Sequence, residues 1–483
     1  NFIASNQPKS AVVVGGGGFI GLEMVEALAK QGMQVHLVEM LPQVMPNLEG
    51  EFAGYLQKEL QDYGVQLHLG TSLEQIDDTQ VRLGNGEIVD TDFVLMSVGV
   101  RPSLKLAQDA GLELGEAGGL LVNSRLQTSD AHIFAAGDML EIENKILGAK
   151  LRVPLAGPAN RQGRIAAKNA LGGDKEYKGA LSTSIVKLFG ATAGSTGLSL
   201  TAAREAGIEA TAVVVHKASH TAYYPGSEKV SLMLVFDRQS GKVLGAQSAG
   251  RVGIDKRLDV IATAIAGGLT VADLEELDLA YAPPFNSPNG PVNMAAFTAE
   301  NLRSGFSPSV LAQDLEDFVI DQQPVVIDLR DPIGFKRAKL TRSYNLSQNH
   351  LREQMDQLTK DQSILLISDD GQKGHVSLRM LKGAGFENVY NLSGGYFSLE
   401  RHARAIGYAR LQVGLFPIEE KRVEDLEAAE EGLPADNTEQ PIDEKGPLMV
   451  DVRTSGEYAG GAHPDAINIP LDELSQRGED LGD

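Results

Sequence analysis

The chain has 483 residues, 42% of them hydrophobic, with 53 glycines and no cysteine. That length is several times a typical domain, so more than one core is expected. Its 43 Lys and Arg against 65 Asp and Glu leave a formal charge of −22, which disfavours nucleic acid and anionic membranes as partners but leaves room for a local anion pocket. Without cysteine, disulfides and thiolate metal sites are excluded, and no metal site is expected. The longest apolar run, Val260 to Leu269, is short and broken by glycine, so no transmembrane helix is expected. The opening Asn1-Phe2-Ile3-Ala4-Ser5 has neither an initiator Met nor a signal-peptide pattern and reads as a cut end. A cytoplasmic location is the default expectation.

Ala11-Val12-Val13-Val14 reads as a buried parallel strand, followed by Gly15 to Gly18 and a helical pattern from Phe19-Ile20-Gly21 to about Gly32. Gly16, Gly18 and Gly21 fall in the register of a dinucleotide fingerprint. The first glycine makes the tight turn, the second admits a pyrophosphate, and the third allows close helix–strand contact. The helix N-terminus offers unpaired N–H groups to phosphate. A second strand, Gln34 to Val38, ends in Glu39, eighteen residues after Gly21, where a carboxylate can accept from ribose hydroxyls. Nothing basic follows in Met40-Leu41-Pro42, so NADH is favoured over NADPH; a purely structural glycine turn is the alternative. Glu51 to Tyr63 reads as a helix and Val65 to His68 as a strand. Val81 to Leu83 and Ile88 to Asp90 flank an Asn85-Gly86 hairpin turn, and Phe93 to Met96 reads as another buried strand.

From Ser97 onward the motifs resemble those of the pyridine nucleotide-disulfide oxidoreductase family. Ser97-x-Gly99-x-x-Pro102 is similar to the loop that closes the NAD domain of its two-dinucleotide flavoproteins. Thr128 to Asp138, ending Phe134-Ala135-Ala136-Gly137-Asp138, resembles their second FAD motif. The resemblance implies a strand ending at Gly137-Asp138, with Asp138 bonding the flavin ribityl chain; a plain turn aspartate is the alternative. It also implies that the helix opening at Val153 to Gly163 presents Leu155, Ala156 and Ala159 to the flavin pyrimidine, where its dipole would stabilise an anionic ring. Residues from about Ser182 to Gly305 resemble the family's interface domain, with a hairpin of Lys229 to Phe236 and Lys242 to Ser248, which implies a homodimer. Ala222-Tyr223-Tyr224-Pro225-Gly226 and Ala280-Tyr281-Ala282-Pro283-Pro284-Phe285-Asn286-Ser287 point within the family to coenzyme A-disulfide reductases and their rhodanese-fused, persulfide-reducing relatives. By that likeness Tyr223 and Tyr281 approach the pantetheine thiol region, and Asn160 occupies a substrate-side position where relatives can have His. The alternative for the tyrosines is core packing with a satisfied hydroxyl. The family's first FAD fingerprint and redox cysteine are absent here, so this chain by itself is expected to hold FAD weakly and not to reduce disulfides.

The last third contains a repeat. Val325-Val326-Ile327-Asp328-Leu329-Arg330 echoes Leu448-Met449-Val450-Asp451-Val452-Arg453, with an aromatic seven residues after each Asp (Phe335, Tyr458) and an Asn seventeen after (Asn345, Asn468). The second copy resembles the opening of a rhodanese domain, and Asn388 to Tyr396 resembles a rhodanese ending. In the first copy Ile364 to Ile367 is the strand before the catalytic loop, expected as six residues from Ser368 to Lys373. Ser368 stands where the resemblance places cysteine, and a serine cannot become a persulfide. With Asp369 and Asp370 opposing negative charge, this copy reads as an inactive module used for packing or docking. The second copy stops before its loop, and Glu424 to Glu444 reads as an acidic linker.

The expected fold is α/β: a Rossmann-like NAD domain (1–100), part of an FAD domain (101–177), an α+β dimerisation domain (178–304), a degenerate rhodanese domain (305–408), a linker (409–445) and the start of a second rhodanese (446–483). The leading function is FAD- and NADH-dependent reduction of a coenzyme A-type disulfide or persulfide. NADH oxidase or peroxidase activity on the same scaffold, and a non-catalytic sulfur-relay scaffold, remain open alternatives.

Overall fold

The computed structural model describes residues 2–340 and 342–407, and the short segments 449–451 and 466–468. The chain forms two units, 1–418 and 419–483. The acidic stretch from Glu424 to Glu444 and the rest of the expected linker lie outside the described residues.

The first module is a parallel sheet in the order Gln66–Leu69, Gln34–Glu39, Ser10–Val14, Phe93–Met96. β-Branched residues dominate its central strand, and alternate side chains serve opposite faces. Ala11, Val13, Val35 and Leu37 pack against helices Phe19–Ala29 and Gly50–Asp62 through Leu22, Val25, Phe52 and Leu56. Val12, Val14 and Val38 pack against Val81, Leu83 and Val89. These belong to a three-stranded antiparallel sheet, Leu73–Ile76, Gln80–Leu83 and Ile88–Asp90, whose first strand the sequence pattern missed. The expectation that Phe93–Met96 is buried is corrected. Among the described residues it is an edge strand, paired only with Ser10–Val14, and Met96 is 53% exposed.

The next module is small. Strands Leu120–Leu121, Leu140–Glu143 and Lys150–Arg152 form a sheet beside helix Ala156–Ala170, sharing a core of Leu120, Leu140, Ile142 and Ile165. No strand precedes Gly137-Asp138, which corrects a second expectation. Phe134 makes a single bridge to Gln127, and the positive φ of Gly137 (95°) turns the chain before the strand that follows it.

A five-stranded antiparallel sheet comes next, in the order Ser184–Leu188, Ala191–Gly197, Val243–Gly250, Lys229–Asp237, Ala210–Ala218. Helices Ile254–Gly267 and Pro291–Arg303 cover one face through Leu258, Ile261, Val292 and Ala295. Tyr63 stacks on Phe189 with centroids 3.9 Å apart, and Glu59 pairs with Arg251 at 3.0 Å, joining this sheet to the first module.

The fourth module is a parallel sheet in the order Ser309–Val310, Val389–Leu392, Ile364–Ile367, Val325–Asp328, Ser343–Asn345. Its central strand Ile364–Ile367 is wholly buried; each such side chain contributes about 1.5–3 kcal/mol on leaving water. In the second unit, Met449–Asp451 pairs in parallel with Ala466–Asn468, and the backbone register sets position 451 opposite 468 as it sets 328 opposite 345. No described helix is long and apolar enough to cross a membrane.

Candidate functional site

The glycine loop is held from behind. Gly15 and Gly16 N–H groups donate to the Val38 carbonyl at 2.8 and 3.3 Å. A Cβ on Gly21 would overlap Gly16, so the helix start presses directly on the turn. Gly18 caps helix Phe19–Ala29 without any side-chain bond and has open space where a side chain would stand. Phe19 is half-buried and Ile20 exposed. Glu39 lies against this loop: Oε2 accepts from Gly17 N–H at 3.1 Å, and Oε1 from Leu41 N–H at 3.1 Å. A carboxylate has about four acceptor positions, so capacity for ribose hydroxyls remains. The loop bearing Gly99 joins the same site, because Ser97 N–H donates to Val14 at 2.7 Å. A Cβ on Gly15 would stand 2.9 Å from the Ser97 carbonyl oxygen, and Gly99 takes a positive φ of 85°.

Asp138 lies exposed on a loop tied to the next helix by Gly137 N–H, which donates to Gln162 Oε1 at 2.8 Å. Gln162 is a positioning residue that the sequence motifs did not mark. Its signal was a polar side chain on the buried face of an amphipathic helix. Leu155 caps that helix without a side-chain bond, Ala156 is exposed and Ala159 half-buried. Asn160 is exposed and folds back to donate to the Ala156 carbonyl at 3.2 Å.

The structure brings the two tyrosine loops together. Thr221 N–H donates to the Pro283 carbonyl at 3.3 Å, and its hydroxyl to the Asn286 carbonyl at 3.0 Å. Tyr223 is 77% exposed and Tyr281 49%, so neither ring is core. Among the described residues, no hydrogen bond links these loops to those of Gly16 or Asp138, and each group stands on its own module.

The Ser368 loop is shorter than expected. Helix Gln372–Gly383 begins inside the expected six-residue loop, which moves Gln372 and Lys373 onto the helix. Ser368 is fully buried, and its Oγ accepts from Gly371 and Gly374 N–H groups at 3.1 Å each. Gln372 N–H is taken by Asp370 at 3.0 Å. The Gly371, Gln372 and Gly374 N–H groups, of the kind that could cradle an anion, are thus already used by the loop's own side chains. Asp328 and Arg330 form a buried pair at 2.7 Å. The Asn345 amide donates to the carbonyls of Asp328 (3.1 Å) and Arg330 (2.9 Å), which accounts for the repeated Asp-to-Asn spacing. Among the described residues, no group of three His, Asp or Glu could hold a metal.

Three family models match: pyridine nucleotide-disulphide oxidoreductase over residues 1–163, its dimerisation domain over 183–289, and a rhodanese-like domain over 311–402. A curated NADH oxidase of Methanocaldococcus jannaschii is 33% identical over 302 residues, 61% of this chain and 66% of that one. A coenzyme A disulfide reductase of Staphylococcus haemolyticus is 31% identical over 303 residues, 62% of this chain and 68% of that one. The crystal structure of reduced CoADR-RHD of Bacillus anthracis superposes with a TM-score of 0.80 at 39% identity, covering 83% of this chain and 72% of that one. The chain spans about two thirds of the length of the curated relatives it matches.

Proposed function

Because this chain belongs to the pyridine nucleotide-disulphide oxidoreductase family, we propose that the protein is an FAD-dependent, NADH-using reductase of coenzyme A-type disulfides or persulfides. In this reading Gly16, Gly18, Phe19, Ile20, Gly21 and Gly99 receive the pyrophosphate region, and Glu39 the adenosine ribose. Asp138 with Leu155, Ala156 and Ala159 receives the flavin; Tyr223, Tyr281 and Asn160 attend the substrate. The residues present fit these groups. Gly18 is unobstructed, and the helix starting at Ala156 opens on exposed Ala156 and Gly157, without a side-chain cap or an acid in its first turn, suited to a partly anionic ring. The flavin, when bound, supplies the electron relay between nicotinamide and sulfur. The dimerisation-domain match supports a homodimer.

The observation that carries the substrate assignment is the pair of exposed tyrosines on hydrogen-bonded loops. An exposed aromatic pair with free hydroxyl edges contributes little to folding and suits a thiol-bearing ligand. The oxidase reading keeps support from the archaeal relative's name. NADH consumption by the full-length protein decides between them. Turnover with coenzyme A disulfide or persulfide at least about ten-fold above that with oxygen alone, a gap of ~1.4 kcal/mol, is expected. Oxygen-driven turnover unaffected by the sulfur substrates would sink the reductase assignment.

A further inference from the structure

The module carrying Ser368 joins the rest of the first unit through one continuous buried hydrogen-bond chain. Its helix Gly395–Ile406 packs along Gly50–Asp62 of the nucleotide module. A Cβ at Gly54 would overlap the Arg401 carbonyl oxygen, and one at Gly50 would stand 2.8 Å from His402 Nδ1. Ser398, on the same helix, is fully buried, and its hydroxyl pulls the Glu51 carboxyl down against the burial that raises it. On its other side it lies 2.9 Å from His216 Nε2, on the edge strand Ala210–Ala218. His216 Nδ1 reaches Ser231 Oγ at 2.8 Å, and Arg401 donates to that same oxygen. A separate bond runs from Val214 N–H to Ser393 Oγ at 2.8 Å.

Donor bookkeeping gives the chain a direction when Glu51 is ionised. Arginine can only donate, so Ser231 accepts from Arg401 and turns its own proton to His216 Nδ1. His216 then carries its proton on Nε2 and donates to Ser398, whose hydroxyl donates to Glu51. The order requires a neutral imidazole. Burial, reinforced by the Arg401 and Lys229 charges, holds His216 well below the ordinary range against the opposing pull of a Gly394 hydrogen bond. Three modules therefore share one polar seam, in which Glu51 Oε2 alone of the carboxyl's oxygens is buried without a partner.

We propose that the Ser368-bearing module is a brace for the reductase core and no longer a sulfurtransferase: through Ser398, Arg401 and Ser393 it holds the edge strand Ala210–Ala218 against helix Gly50–Asp62. That strand runs on directly into Ser219-His220-Thr221, the segment that ties the Tyr223 loop to the Tyr281 loop. The brace positions both sides of the core without touching cofactor or substrate. Closure of the Ser368 loop on its own hydroxyl belongs to the same change of role, because a filled loop has no anion to exchange.

Hydrogen exchange on the whole chain tests this. Ser398→Ala is expected to speed amide exchange roughly ten-fold, the equivalent of one net hydrogen bond, in both Val213–Ala218 and Gly50–Asp62. Strand Ser343–Asn345, at one edge of the module's own sheet, should stay unchanged. Acceleration confined to residues 311–402, or none, overturns the brace. If S398A does not fold, S393A, which removes only the bond to Val214, is read in the same way. In parallel, Ser368→Cys in the otherwise unaltered chain is expected to leave a thiol that reacts with an aromatic disulfide reagent only after denaturation, with no sulfur transfer from thiosulfate to cyanide. Measurable transfer would show a working sulfurtransferase loop and overturn the proposal.

Discussion

The Glu39 carboxylate accepts the Gly17 N–H at 3.1 Å, so the acid that ends the second strand is built into the wall of the glycine loop. Its position links cofactor choice to loop geometry. Replacing it by a longer cation removes the ribose acceptor and supplies a partner for a 2′-phosphate. Glu39→Arg is therefore expected to raise the ratio of kcat/KM for NADPH over NADH by ten-fold or more, about 1.4 kcal/mol. An unchanged ratio in steady-state kinetics would count against the ribose role.

Tyr223→Phe and Tyr281→Phe remove hydroxyls from exposed rings, so thermal stability should move by less than about 0.5 kcal/mol. Turnover with the coenzyme A substrate should fall by roughly ten-fold for each, the worth of one hydrogen bond of ~1.4 kcal/mol, while NADH affinity stays constant. A drop in melting temperature with no kinetic change would return the tyrosines to a packing role.

Glu51 ties stability to pH. Burial raises its carboxyl from an ordinary value of 4.5 to about 7, opposed by the Ser398 hydrogen bond and the Arg401 charge and reinforced by Glu49. An acid whose folded value is raised contributes stability that is full below about 4.5 and is lost as pH climbs through about 7, in total about 3 kcal/mol. His402 acts in the opposite sense. Burial lowers it to about 4, against the pull of Asp314, so its contribution is present above the ordinary 6.5 and lost as pH falls through about 4. Glu51→Gln, which keeps the neutral form, should therefore gain stability over the parent at pH 8 and little at pH 5. Equal differences in urea midpoints at the two values would refute the shifted carboxyl.

Asp328→Ala leaves the Arg330 guanidinium, 4% exposed, without its carboxylate, and stranding a buried charge costs about 3–5 kcal/mol. Replacing both residues by apolar ones should cost less than the single change. Denaturant unfolding of the two variants checks this, and a double variant as unstable as the single would remove the desolvation argument.

Local periodicity was enough to read the strand–glycine loop–helix unit, the acid at position 39 and the Asn85-Gly86 hairpin, because each is set by neighbours a few residues apart. The tandem Asp-to-Asn spacing was equally legible, and Asn345 explains it by bonding the carbonyls of Asp328 and Arg330. Expectations failed where distant partners decide. Phe93–Met96 looks buried by composition and is an edge strand, since only sheet order says which strand comes last. The Ser368 loop is short because Gly371 and Gly374 N–H groups close on the serine itself.

The sequence by itself determined the module order, the nucleotide fingerprint and the absence of any thiol, all carried by residue identity and short-range spacing. Only the tertiary structure decided that Gln162 supports the Asp138 loop, that Thr221 joins the tyrosine loops, and that Ser398, His216 and Glu51 meet. Those three stand more than 150 residues apart in the chain in every pairing. No local pattern encodes them, because a buried polar group finds its partner through the packing of whole modules and not through its neighbours in sequence.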